Sequence, residues 1–364
     1  HNGPVRILHL VDRLTERGGA YRHLLGLIEA LGQDHSQVVA AGEDDGSVRP
    51  SCATATLPGL ESRTRADVAI EPLFADLMPD IVHLHTVVNP AVLEWAALQP
   101  SVITVQDHRY FCPTRGRWTR DGRICREPMS REACRACFED EGYFEEILAL
   151  TQARLGAIQR LRRIAVLSRY MKDELVLSGV DGTRIDVIPP FVHGLDLNAM
   201  ADGPTCVLFV GRLTETKGVR DAIAAWRDSG VALPLVFAGT GPLRREVEDA
   251  GLEVRGWLDR AHLSRAYRRA RAVILPSRWQ EPFGIVGLEA LAMGVPVVAY
   301  GSGGVGEWHP GPGLVPWGDV DALAMALRAA VDCDRPAQRP QMPDRDELVM
   351  RLLESYEKVC AVAP

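Results

Sequence analysis

The sequence predicts an α/β protein made of two doubly wound, parallel-sheet domains. Three observations predict it. The chain has 364 residues, more than one ordinary domain holds. Short β-branched runs alternate with segments of helical period along its length. Several of those runs end in glycine or charged loops, which is where open α/β sheets bind ligands.

The first run is VRILHLV over 5–11, followed by a loop with Gly18 and Gly19 and a helical pattern through Leu31. Further strands are expected at 37–41, 80–85, 101–105, 163–168 and 185–189, with helical segments near 65–77 and 91–97. Pro189 and Pro190 break the pattern, and 191–203 reads as a linker. A second alternation has strands at 206–210, 233–238, 253–256, 272–276 and 295–300. The helix between the last two is apolar from Gly284 to Met293 and stops at Gly294, the usual place for a left-handed residue. A proline-rich stretch over 335–343 precedes a last amphipathic segment at 345–362. The expected domains are 1–190, with a cysteine-rich insertion at 107–142, and 191–344, followed by the tail 345–364.

Composition narrows the function. Hydrophobic residues make up 46%, enough for two cores, and the net charge of −7 argues against a nucleic-acid partner. No run reaches the ~18 apolar residues of a membrane span, and no signal-peptide pattern is visible. Eight cysteines in a chain this long do not indicate a secreted disulfide scaffold, so the expected compartment is cytoplasmic. The chain begins His1-Asn2-Gly3-Pro4 without a Met, and nothing is built on those residues.

The second half carries the chemistry. GRLTETKG over 211–218 places Gly211, Arg212 and Lys217 directly after a strand. Arg grips phosphate with two N–H bonds and Lys acts as a mobile point charge, so the two suit a diphosphate. Gly239 and Gly241 form a second strand-end turn, and Gly303 and Gly304 a third. Glu281 lies in the loop after the 272–276 strand and Glu289 in the next helix. The amides of Phe283, Gly284, Ile285 and Val286 open that helix and favour phosphate. Two acids beside a phosphate site repel it unless they serve uncharged groups. Their expected use is to accept hydrogen bonds from ribose and sugar hydroxyls. The picture is a pocket for a nucleotide-diphosphate sugar. The plainer alternative is two glutamates on a solvated helix face.

These motifs together resemble the donor site of glycosyltransferase family 4, whose members are retaining, metal-independent enzymes of the GT-B fold. The resemblance spans nearly the whole chain and is more specific in the second half, while Gly18-Gly19 is similar to the family's amino-terminal glycine loop. It implies two Rossmann-like domains facing across a cleft, with the carboxy-terminal helix crossing back onto the first. It also implies that Arg212 and Lys217 hold the diphosphate, Glu289 the ribose and Glu281 the transferred sugar, with no catalytic metal. The expected donor is a UDP- or GDP-sugar and the acceptor an unidentified hydroxyl, as in glycan, polysaccharide or glycoconjugate synthesis. A nucleotide-sugar epimerase and a non-catalytic scaffold of the same fold remain as alternatives.

One departure lies in the first half. The family often carries His-Asp after the 101–105 strand, whereas this chain has Gln106, Asp107 and His108. Gln106 binds a hydroxyl but does not shuttle a proton. His108 is the candidate to take over, while His9, His83 and His85 read as packed residues.

The insertion holds Cys112, Cys125, Cys134 and Cys137. The two-residue gap in the last pair suits thiolates on one tetrahedral ion, so structural zinc is the first reading. Disulfides, an iron–sulfur cluster and unligated thiols stay open. The same segment is rich in arginine, with Arg117 and Arg120 as candidates for an acceptor-side lip or a peripheral contact with an anionic membrane. The alternative is a solvated loop whose arginines pair with acids over 139–146.

Overall fold

The computed structural model describes residues 3–114, 116–199, 203–333 and 344–361. They form two compact units, one within 1–191 and 343–364, the other within 192–342.

The first unit is built on seven strands: β1 (Arg6–Leu14), β2 (Ser36–Asp44), β3 (Ala53–Thr56), β4 (Ile81–Leu84), β5 (Ser101–Val105), β6 (Arg163–Val166) and β7 (Ile185–Val187). Their order is β3-β2-β1-β4-β5-β6-β7, with every pair parallel. The second unit has six: β8 (Cys206–Val210), β9 (Leu235–Ala238), β10 (Glu253–Val254), β11 (Ala270–Leu275), β12 (Val297–Tyr300) and β13 (Leu314–Val315). Their order is β10-β9-β8-β11-β12-β13, again all parallel. The central strands are apolar on both faces because helices cover both, the signature of a parallel sheet. Each order reverses once, between β1 and β4 in one unit and between β8 and β11 in the other. Those reversals open the crevices in which such sheets hold ligands.

The edge strands β3 and β13 are short, four and two residues, and the sequence pattern did not signal them. The helix Glu141–Ile158 was also unexpected. Asp140 caps it by accepting the Tyr143 amide at 2.6 Å. Its buried Arg154 donates to the Val88 carbonyl at 2.9 Å and to the Arg109 carbonyl, tying down the loops after β4 and β5.

The last helix, Arg345–Cys360, packs on the first unit, as the fold expectation required. Leu348, Leu352 and Val359 join Ile7, Ile81 and Val102 in one apolar cluster. Tyr356 hydroxyl meets His83 Nδ1 at 2.7 Å, and Ser355 Oγ donates to Asp186 at 2.7 Å.

Candidate active site

The site of the second unit is assembled from loops at the carboxyl ends of β8, β9, β11 and β12. Gly211 to Gly218 follow β8, Gly239 and Gly241 follow β9, Glu281 follows β11, and Gly303 with Gly304 follow β12. Backbone joins the loops: the Gly211 amide donates to the Ala238 carbonyl at 3.0 Å, Leu213 to Thr240 at 2.8 Å, and Gly304 to Glu281 at 2.8 Å. Two glycines are required by close approach. At Gly218, with φ 71°, an added Cβ would lie 1.7 Å from the Pro276 carbonyl oxygen. At Gly303, with φ 53°, it would lie 2.2 Å from the Glu281 carbonyl oxygen. A side chain at either place would push the β8 and β12 loops away from the Glu281 loop.

Lys217 Nζ stands 2.6 Å from Glu281 Oε1 and 4.3 Å from the centre of the Trp279 ring. Ser277 Oγ donates to the same carboxylate, and the Glu281 amide donates to Ser302 Oγ at 3.1 Å. Burial alone pushes the Glu281 carboxyl up, but Lys217 and Ser277 outweigh it and hold it below the ordinary value. Burial lowers Lys217 against the pull of Glu281. Arg212 is exposed, and among the described residues it makes no ion pair.

The helix Ile285–Ala292 starts at Gly284, which is left-handed at φ 85°. Phe283 is buried against Trp308, whose Nε1 donates to the Phe283 carbonyl at 2.6 Å. The first-turn amides, including Ile285 and Val286, have no partner within their own helix. Glu289 is 2% exposed and points back to Arg260 and Tyr267, with Arg260 Nη1 at 2.6 Å from Oε1 and Tyr267 hydroxyl at 3.0 Å from Oε2. Both acids thus hold a resident cation. The negative charge of the two carboxylates is offset, one by Lys217 and one by Arg260. Sequence reasoning found the first cation and missed the second. Arg260 belongs to no glycine motif, and its distance in sequence from Glu289 leaves no local pattern.

In the first unit the helix Gly19–Leu31 starts directly after Gly18. Tyr21 hydroxyl donates to Asp12 Oδ1 at 3.1 Å, Thr86 hydroxyl donates to the same oxygen, and Arg109 Nε lies 2.6 Å from Asp107 Oδ2. Asp12, Tyr21 and Thr86 were not singled out from sequence. Gln106 presents a buried Nε2 without a hydrogen-bond partner.

Several expectations are corrected here. His108 is fully buried, its Nε2 is 3.0 Å from the Tyr170 hydroxyl, and its ring packs edge-on against Phe111. Its loop turns it into the unit, so it does not take over the missing proton acceptor. Arg117 is 3% exposed and paired with Glu174 at 2.5 Å, which removes it from any basic lip. Arg120 pairs with Glu139, and Arg131 pairs with Glu145 at 2.5 Å, the arrangement of a solvated loop. Cys112, Cys125, Cys134 and Cys137 line one pocket as free thiols. Among the described residues no three of those sulfurs lie within 4.8 Å of one another. A tetrathiolate zinc with bonds of about 2.3 Å sets its sulfurs about 3.8 Å apart, so this geometry does not support structural zinc.

The group with ligand-like spacing is instead His9, His83 and His85, all buried. His9 and His85 are joined to Gln37 in a hydrogen-bond chain, and among the described residues only His85 Nδ1 of the three rings is left without a partner. Gln37 Nε2 donates to the Ile28 and Gly32 carbonyls, which leaves Oε1 to accept from His9 Nε2 at 3.2 Å. His9 Nδ1 then accepts from His85 Nε2 at 3.1 Å. His83 is held between Tyr356 hydroxyl and Thr104 hydroxyl, each at 2.7 Å. Burial lowers His9 to about 4 and lowers His83 and His85 well below the usual imidazole value. The three are core residues.

Comparison with known proteins identifies the family and the fold. A family model described as Glycosyltransferase Family 4 matches residues 17–193, and one described as Glycosyl transferases group 1 matches 204–332. The chain belongs to the family 4, group 1 glycosyltransferases. It is 29% identical over 409 aligned positions to a 2-deoxystreptamine N-acetyl-D-glucosaminyltransferase of Streptomyces fradiae, covering 97% of this chain and 89% of that protein. It is 38% identical to a glycogen synthase of Mycobacterium tuberculosis over 161 residues, which are 40% of this chain and 38% of the synthase. Among solved structures, AviGT4, a glycosyltransferase involved in avilamycin A biosynthesis, superposes with a TM-score of 0.64 at 19% identity, covering 99% of each chain. Anabaena Alr3699/HepE in complex with UDP-glucose superposes at 0.63 with 16% identity, covering 98% of this chain and 100% of that one. The fold of this family 4 glycosyltransferase is therefore the two-domain GT-B fold. Among the described residues no helix is long and apolar enough to cross a membrane.

Proposed function

We propose that this glycosyltransferase moves a sugar, with retention, from a UDP- or GDP-sugar to a hydroxyl acceptor. One observation carries the reading: Lys217 and Glu281 meet at 2.6 Å in the crevice where β8 and β11 diverge, with Arg212 exposed on the same loop as Lys217. A diphosphate entering there takes Arg212, Lys217 and the amides that open the helix Ile285–Ala292. Glu281 is released to the transferred sugar, and Glu289 accepts from the ribose. The two cations stabilise the charge that builds on the diphosphate as the bond from its oxygen to the anomeric carbon breaks. The new bond forms from the acceptor hydroxyl on the same face, and the leaving diphosphate oxygen takes the hydroxyl proton. No side-chain base is required, which fits Gln106 in place of a histidine and His108 in the core. Charge stabilisation by Arg212 and Lys217 makes the reading independent of a divalent ion.

The relative matched along 97% of the chain transfers N-acetylglucosamine to 2-deoxystreptamine by its name. That makes UDP-N-acetylglucosamine and an aminocyclitol the first pair to test. Thermal shift against UDP-, GDP- and ADP-sugars identifies the donor, because a ligand bound only by the folded state raises the melting temperature. The product's anomeric configuration, read by NMR in the presence of EDTA, then tests retention and metal independence together. Inversion, or loss of turnover in EDTA, refutes the corresponding half. Donor consumed without acceptor would favour an epimerase. Unchanged nucleotide-sugar affinity in Glu289→Ala would favour a scaffold.

A further inference from the structure

We propose that Arg260 is a positioning residue that aims the Glu289 carboxylate at the ribose and thereby sets discrimination for the ribose hydroxyls; this rests on the donor-site reading above. Arg260 begins the helix Arg260–Arg268, which Asp259 caps by accepting the His262 amide at 2.8 Å. Its guanidinium has two anchors. Nη1 reaches Glu289 Oε1 at 2.6 Å, and Nη2 donates to the carbonyl of His193. Tyr267, two turns along the same helix, fixes the other oxygen at 3.0 Å and also reaches the Val286 carbonyl at 3.2 Å. One helix therefore holds both oxygens of one carboxylate, so its plane and rotamer are set before any ligand arrives.

A carboxylate offers about four lone-pair sites. Arg260 and Tyr267 occupy one on each oxygen, which leaves one on each for two vicinal hydroxyls. The pairing also gives Glu289 a counter-charge at 2% exposure beside the place assigned to a diphosphate. Without Arg260 the pocket would hold an unpaired buried acid against an anionic ligand, and the carboxylate would lose its fixed orientation. The two effects act together: Arg260 sets both the strength of nucleotide binding and its dependence on the ribose hydroxyls.

Calorimetric titration with UDP, GDP and ADP, each beside its 2′-deoxy counterpart, tests this on the full chain. Wild type is expected to favour the ribonucleotide it binds by about 10-fold or more, the worth of a hydrogen bond to a charged group. In Arg260→Met that preference should shrink to within about threefold and affinity should fall about 10-fold. Arg260→Lys keeps the charge on a shorter reach and should recover part of the affinity but little of the preference. An unchanged ribose preference in folded Arg260→Met overturns the proposal. If that variant does not fold, an unchanged preference in Arg260→Lys overturns it equally. Wild type binding a nucleotide with no ribose preference sinks this proposal and the ribose role of Glu289 but leaves the diphosphate site standing, whereas wild type binding none of the three sinks the donor-site reading as a whole.

Discussion

Lowering the pH from 8 to 5 should destabilise the first unit, because three neutral imidazoles are locked in its core. The sign follows from the direction of the shifts. His9, His83 and His85 have folded values depressed below the unfolded value, so between about pH 6.5 and 4 the unfolded chain binds more protons than the folded one. Stability is full above the unfolded value and is lost as the pH falls through that window. With 6.5 unfolded and about 4 folded, His9 alone contributes a loss of about 2 kcal/mol at pH 5. His83 and His85 are lowered in the same direction by the same burial and add to that loss. His23, also lowered to about 4 by burial, adds in the same direction. Glu174 opposes it, since burial raises that carboxyl above its usual value. Melting followed by circular dichroism at pH 8, 7, 6 and 5 should show a fall of at least about 4–8 °C, the share of His9 alone. His85→Gln, which leaves a donor for His9 Nδ1, should lessen the fall. A melting temperature that stays level from pH 7 to 5 would refute the account of a neutral, proton-excluding cluster.

Lys217→Met should lower kcat of the folded protein by about 10²–10³, since it removes one of two cations that meet the leaving diphosphate; a smaller loss at saturating donor would place the charge stabilisation elsewhere. Gly218→Ala should cost more than about 2 kcal/mol in urea unfolding, because a Cβ would lie 1.7 Å from the Pro276 carbonyl at a left-handed φ. Arg117→Met should destabilise the first unit by about 3–5 kcal/mol by leaving Glu174 buried without its partner, while the KM for acceptor stays as it was. A raised acceptor KM without loss of stability would restore Arg117 to the acceptor side.

The central strands were legible because each is a short apolar run bounded by loop residues, a pattern local enough to read directly. The β8 strand, Cys206–Val210, and the β5 strand, Ser101–Val105, have the bounds expected of them. The edge strands β3 and β13 were not legible, since an edge needs no apolar alternation. Lys217, Glu281 and Glu289 stood out because charge placed at a strand end beside glycine is unusual. Arg260 did not, for its role comes from a partner on another helix. Charged residues also mislead when they pair across distance: Arg117 reads as surface until Glu174 is seen beside it. His108 reads as a candidate because of its neighbours in sequence, and only the turn after Asp107 shows that it faces inward. The cysteines show the opposite limit, since spacing that suits an ion does not make the sulfurs converge to ligand distance.

The helix Arg345–Cys360 follows the second unit in the chain and belongs to the first by packing. A chimera that exchanges the donor half of this enzyme for that of a relative must therefore keep residues from Arg345 onward with the amino-terminal half. A fragment ending at Phe191 would present the bare face of Ile7, Ile81 and Val102 to water and leave His83 without Tyr356. The gene cannot be cut once to yield two self-sufficient halves.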